Sequence, residues 1–103
     1  MRTIQDCFGH SVRLTDERRQ HILEHPEMQA MSAEIERVVG KPQLVRRSRS
    51  TTAVSLFYDF YAETIVGSKW LCVVVKYKEE DAFIVTAYLT DKPKTGETLW
   101  PIN

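Results

Sequence analysis

Two imidazoles four residues apart stand out in this chain: His21 and His25, within Arg13–Glu27, RLTDERRQHILEHPE. Imidazole is the side chain that exchanges a proton near neutral pH. If the segment is one helix that stops at Pro26, the two rings share a helix face. Arg18 precedes His21 by three residues, so Arg18, His21 and His25 form a polar ridge beside the inward-facing Ile22 and Leu23. His21 is then a candidate general acid or base at the border between helix and sheet. The competing reading is a half-buried histidine bonded to a backbone carbonyl. The same residues spell H-x-x-E-H, in which two histidines clasp zinc and the glutamate acts as base. A catalytic zinc needs a third protein ligand. Glu63, Glu79, Glu80 and Glu97 fall in expected loops or the tail, so no metal and no other cofactor is expected.

Two further groups carry possible chemistry. Arg46-Arg47-Ser48-Arg49 lies on an expected strand, where Arg47 and Arg49 share one face and Arg46 takes the other. Guanidinium groups bind phosphate with a bidentate fork; equally, charge on an edge strand guards against aggregation. Thr86, Tyr88 and Thr90 line one face of the last long strand, with Lys76 across the hairpin. Hydroxyls and an ammonium on a mixed sheet face suit a phosphodiester, although Thr and Tyr are also ordinary strand residues. A regular register puts Lys76 on the opposite face from those three hydroxyls.

The elements that must position these groups can be read in order. Ile4–Phe8 and Ser11–Leu14 look like short extended pieces joined at Gly9-His10. Thr15 is an N-cap, followed by acids in the first turn of a helix running to about His25. A second helix, roughly Ser32–Val39, takes Ser32 as N-cap, Ile35, Val38 and Val39 as its apolar stripe, and Gly40 as C-cap. After Pro42, four strand-like runs follow: Leu44–Ser48, Ala53–Tyr61, Lys69–Tyr77 and Ala82–Thr90. The tail Asp91–Asn103 reads as irregular. The expectation is an α+β domain spanning residues 1–103, with N-terminal helices packed on one face of a four-stranded antiparallel sheet.

The faces of that sheet follow from its hairpins. A loop at Lys78–Asp81 sets Tyr77 opposite Ala82, and the previous hairpin sets Phe60 opposite Trp70. Regular pairing then places Val54, Leu56, Tyr58, Cys72, Val74, Phe83, Val85 and Ala87 on one nearly all-apolar face, expected to carry the helices. The opposite, mixed face collects Ser55, Phe57, Asp59, Val73, Val75, Thr86, Tyr88 and Thr90. A one-residue slip would exchange the faces of a strand.

Composition narrows the function classes. The net charge is zero, from 14 basic and 14 acidic residues, which argues against a domain held to nucleic acid by bulk charge. The charge is nevertheless uneven. Asp16–Val39 has six acids against three arginines, and Lys41–Arg49 has four bases and no acid. The longest apolar run, Leu71–Val75, is too short to cross a membrane, and the opening MRTIQDCFGH lacks a signal-peptide apolar core. A cytoplasmic protein without membrane partners is expected, and its two cysteines, Cys7 and Cys72, are expected to be free thiols there.

Several of these pieces in this order form a pattern. RLTDERRQHILEHPEM, a helix ending before KPQLV, then LCVVVKY and DAFIVTAYLTDKPKTGETLW resemble the small nuclease-like domains grouped with barnase, EndoU, the tRNA-cutting colicins and RelE, especially their phage-associated branches. The resemblance covers roughly Val12 to Trp100. It implies metal-independent RNA cleavage through a 2′,3′-cyclic phosphate, and a toxin with an antitoxin or immunity protein as partner. Carried onto this sequence, it makes His21 the acid or base. Lys76 and an arginine such as Arg46 or Arg47 stabilise the phosphate. Thr86 positions it, with Tyr88 or Thr90, and bases stack on Phe57 or Tyr88. Two departures stand beside it: this chain is neutral where RelE-type toxins tend to be basic, and it lacks a full match to barnase's catalytic set. The alternatives are a non-catalytic protein-interaction module of the same fold and, third, a zinc hydrolase built on H-x-x-E-H.

Overall fold

A computed structural model of the chain describes residues 1–102. Seven strands form one sheet: β1 (Arg2–Gln5), β2 (Ser11–Leu14), β3 (Leu44–Arg47), β4 (Val54–Thr64), β5 (Gly67–Lys78), β6 (Asp81–Thr90) and β7 (Thr98–Trp100). Their order is β1-β2-β6-β5-β4-β3-β7. All neighbours are antiparallel except β2 and β6, which run parallel and meet at Arg13 and Phe83. The class is α+β, but the expected four-stranded antiparallel sheet is corrected to a seven-stranded mixed one. The four expected strands are its centre. The three additions are three or four residues long. Such segments carry little periodicity, and their attachment to the centre, β2 to β6 and β7 to β3, is through partners distant in sequence.

Two α-helices, α1 (Asp16–Leu23) and α2 (Ser32–Gly40), are joined by a 3-10 helix over Pro26–Met31. Thr15 caps α1, its hydroxyl accepting from the Arg18 amide at 3.1 Å. Ser32 is not the cap of α2: the 3-10 turns run directly into it, Met31 holds that position, and the Ser32 hydroxyl accepts from Arg19. The stripe Ile35, Val38 and Val39 is fully buried. It packs against Phe57, Leu71, Val73, Val75, Ile84 and Ala87 in the principal core. Fully burying a Val, Leu, Ile or Phe side chain contributes about 1.5–3 kcal/mol, so this face holds the fold together.

The helices therefore cover the face that includes Phe57, Val73 and Val75. The expected assignment is reversed for β4, β5 and the start of β6, whereas Ala87 lies on the covered side and Thr86, Tyr88 and Thr90 on the uncovered side as expected. Both expected hairpin registers are observed, Tyr77 opposite Ala82 and Phe60 opposite Trp70. Between them the β5–β6 ladder is irregular: Val75 faces Ile84, but Val74 faces Thr86, leaving Val85 as an extra residue. That bulge shifts the outer half of β6 by one residue. It carries Ala87 to the covered face and sets Thr86, Tyr88 and Thr90 on the same side as Lys76. The bulge thus keeps the outer half of β6 out of the reversal, whose cause lies in β4 and β5. Both sides of these central strands are apolar, so alternation does not say which one the helices take.

The sheet curls strongly. β1 and β7 stand at opposite ends of the strand order, yet the Phe8 ring, in the turn after β1, lies 5.8 Å from the Trp100 ring of β7. No helix among the described residues is long and apolar enough to cross a membrane.

Candidate functional site

The uncovered face of the sheet gathers most of the residues singled out by sequence. Alternation along the observed registers places Leu44 and Arg46 of β3, Val54, Leu56, Tyr58 and Phe60 of β4, and Trp70, Cys72, Val74, Lys76 and Lys78 of β5 on it. Phe83 of β6 joins them opposite Lys76, and the bulge adds Thr86, Tyr88 and Thr90. Lys76, Thr86, Tyr88, Thr90 and Arg46 thus share one surface. Leu56, Tyr58 and Cys72 are its buried floor, with Leu44, Val54, Trp70, Val74 and Tyr88 packed around them. Phe60 is exposed, and its ring meets Trp70 edge-on at 5.5 Å.

Chain after β6 closes one side of this face. The Lys94 amide donates to the Tyr58 hydroxyl at 3.1 Å, and Arg46 donates from Nη1 to the Lys94 carbonyl at 3.0 Å. Arg46 Nε is buried with no hydrogen-bond partner among the described residues. Burial pushes the Tyr58 hydroxyl up to about 12 and also raises Tyr88 and the Cys72 thiol. These groups keep their protons at neutral pH, so the face offers neutral donors and fixed cations.

Its electrostatics differ from those of the whole chain. Arg46, Lys76 and Lys78 project from the strands, and Lys94 sits above them. Among the described residues the one strand acid on this side is Asp81, which accepts from Arg13 Nε at 2.9 Å and Nη2 at 2.7 Å. The Arg13 guanidinium and the Lys78 ammonium stand 5.7 and 5.9 Å from the Phe83 ring centre. The acids gather on the helix side, where Glu27, Glu34 and Glu63 line a depression of about 470 Å³ with Tyr61.

The other expected site residues are elsewhere. His21 is on α1, across the sheet from Lys76 and Thr86; its ring is exposed and lies 3.6 Å from Glu24. The expected groove joining His21 to Lys76 and Thr86 is therefore absent. Nor do His21 and His25 share a helix face. α1 ends at Leu23, and His25 is extended ahead of the 3-10 helix, 3.8 Å from Glu27. No group of three His, Cys, Asp or Glu side chains comes together in metal-holding geometry among the described residues. Phe57, expected to stack on bases, is fully buried beneath the helices. Arg47 points to the helix side, with Nε on Glu97 at 2.9 Å.

Arg47 instead meets residues that the sequence reading passed over. It lines a cleft of about 430 Å³ with Phe8, His10, Thr52, Ala53, Ser55, Tyr77 and Leu99. Behind His10 lies Asp6, 4% exposed. One Asp6 oxygen accepts from the Phe8 and His10 amides at 2.9 and 2.7 Å; the other accepts from the Tyr77 hydroxyl at 2.5 Å and faces His10 Nδ1 at 3.3 Å. The local signal was present: Asp6-Cys7-Phe8-Gly9 is an Asx-type turn, closed by Gly9 at φ +91°, a conformation that glycine adopts without strain.

The chain matches no family model, no curated protein and no solved structure.

Proposed function

We propose that this protein acts on RNA as a small metal-independent ribonuclease, and that the uncovered sheet face holds the single-stranded substrate. The observation that supports this most is the separation of charge. A chain with no net charge carries Arg46, Lys76, Lys78 and Lys94 around one sheet face whose single strand acid is neutralised by Arg13. Cations along a surface bind the phosphate chain whatever its sequence. Trp70, Phe60 and Tyr88 add flat surfaces on which bases stack.

In this reading Lys76 and Arg46 hold phosphates of the bound strand, and Thr86 and Thr90 donate hydrogen bonds to phosphate oxygens along it. Cleavage is attack of the ribose 2′-oxygen on the adjacent phosphorus with loss of the 5′-oxygen, giving a 2′,3′-cyclic phosphate. The test is purified protein on total RNA in EDTA, with binding measured in parallel. The expected result is cleavage by the wild type, with weaker binding and slower cleavage in Lys76→Gln and Thr86→Ala. Intact RNA after prolonged incubation rejects the nuclease reading. RNA left unbound while a protein partner binds tightly favours a non-catalytic interaction module.

A further inference from the structure

The uncovered face supplies cations and hydroxyls but no imidazole, whereas 2′-hydroxyl attack needs a group that accepts a proton near neutral pH. The cleft at the end of the sheet contains such a group. A carboxylate only accepts hydrogen bonds, so His10 Nδ1 carries the hydrogen facing Asp6, and Nε2 is the nitrogen left to exchange a proton. Asp6 is fixed by two backbone amides and the Tyr77 hydroxyl. It therefore holds the ring in one tautomer and one orientation. The His10 side chain itself is 63% exposed. Arg47, its guanidinium held by Glu97 and by the Thr52 carbonyl at 3.3 Å, lines the same cleft, with Ser55 at its base.

The cleft also adjoins the cationic face. Tyr77 and Lys76 are consecutive on β5, one in the cleft and the other on the uncovered side. Val54, opposite Lys76, follows Thr52 and Ala53, which line the cleft. A strand of RNA leaving the face over this edge arrives between His10 and Arg47.

We propose that His10, not His21, is the proton-accepting catalytic residue, with Arg47 binding the scissile phosphate and Asp6 as the positioning residue. The inference rests on the ribonuclease reading above. His10 Nε2 takes the proton of the 2′-hydroxyl. The 2′-oxygen bonds to phosphorus, the bond from phosphorus to the 5′-oxygen breaks, and that oxygen takes a proton from water. His10 then returns its proton to solvent. Besides Asp6 and Tyr77 behind the ring and Arg47 across the cleft, Glu79, Glu80 and Asp81 border His10 on its other side. All of these enter its pH response.

The test compares wild type, His10→Gln, Arg47→Gln and His21→Gln on a short single-stranded RNA in EDTA, following binding and cleavage separately. His10→Gln should lose about 10²- to 10⁴-fold in kcat while binding RNA as the wild type does. It should also lose the dependence of rate on pH that an imidazole gives between about pH 5 and 8. Arg47→Gln should lower kcat/KM. His10 is exposed and serves the turn through its backbone amide and carbonyl, which glutamine keeps, so His10→Gln is expected to fold. Wild-type cleavage that persists unchanged in His10→Gln, or that falls in His21→Gln instead, overturns the assignment and leaves the ribonuclease reading standing. No cleavage by the wild type removes both.

Discussion

The two sides of this sheet have similar apolar centres and opposite fates. Phe57, Val73 and Val75 lie under two helices; Leu56, Tyr58 and Cys72, on the same strands, lie under a few residues of chain near Lys94. Around the first group stand Glu34, Arg37 and Asp59, joined as Arg37 Nε to Glu34 at 3.0 Å and Arg37 Nη2 to Asp59 at 3.1 Å. Around the second stand mostly cations without acidic partners. Apolar content thus does not say which side of a central strand carries the fold and which remains free to bind. The cover and the rim charges do.

The largest effect expected from this contrast is on stability. Phe57→Ala removes a fully buried ring from beneath the helices and should cost about 3–5 kcal/mol. Phe60→Ala, on the same strand but 43% exposed on the other side, should cost less than about 1 kcal/mol. Urea unfolding of the two variants checks this, and equal costs would mean that the faces are misassigned.

Next comes binding. Trp70→Ala should weaken single-stranded RNA by about 1–3 kcal/mol. Lys76→Gln should weaken it evenly across sequences and lower the salt slope by about one. Both are read by titration at several salt concentrations. A loss limited to one RNA sequence would point to base reading instead.

Deleting Val85 probes the bulge. Residues 86–90 keep their faces when the extra residue is removed, because Val75–Ile84 and Val74–Thr86 then become consecutive regular pairs. The stability change should stay within about 1–2 kcal/mol. If β6 were regular, the same deletion would turn its outer half over and unfold the protein, which circular dichroism would report.

The smallest effect is at the rim of the covered side. The Tyr61 hydroxyl donates to Glu34 at 2.6 Å, and this bond, with Arg37, holds the Glu34 carboxyl below its usual range. A carboxylate lowered on folding contributes stability above its unfolded titration and loses it as pH falls through the folded one. Tyr61→Phe should therefore cost about 1 kcal/mol at neutral pH. The gap should narrow as pH drops below the ordinary value of 4.5. Melting curves from neutral to acid pH measure it, and a gap that widens on acidification contradicts the sign.

Much of this architecture was legible in the residues. Thr15 announced α1, and Ile35, Val38 and Val39 announced the buried side of α2. The turns at Lys78–Asp81 and Ala62–Ser68 gave both central registers. Local signals were enough because each partner lay within one hairpin or one helix turn. The bulge at Val85 was not legible: it follows from how Ile84 and Ala87 both reach the core, a tertiary demand that a two-residue period does not carry. The β2–β6 contact joins Arg13 to Phe83 across most of the chain and leaves no local trace. Lys76, Thr86, Tyr88, Thr90 and Arg46 were identified by residue type, yet only the bulge brings Lys76 and Thr86 to one side. His10 was overlooked because its partner, Asp6, meets it across a turn rather than along a helix.

The most direct test of the RNA-holding face is amide chemical-shift mapping of isotope-labelled protein titrated with a short single-stranded RNA. Saturable shifts at Arg46, Phe60, Trp70, Lys76, Thr86 and Tyr88, with α1 and α2 unmoved, are the predicted result. Shifts centred on α1 and its histidines, or none at saturating RNA, would contradict the account.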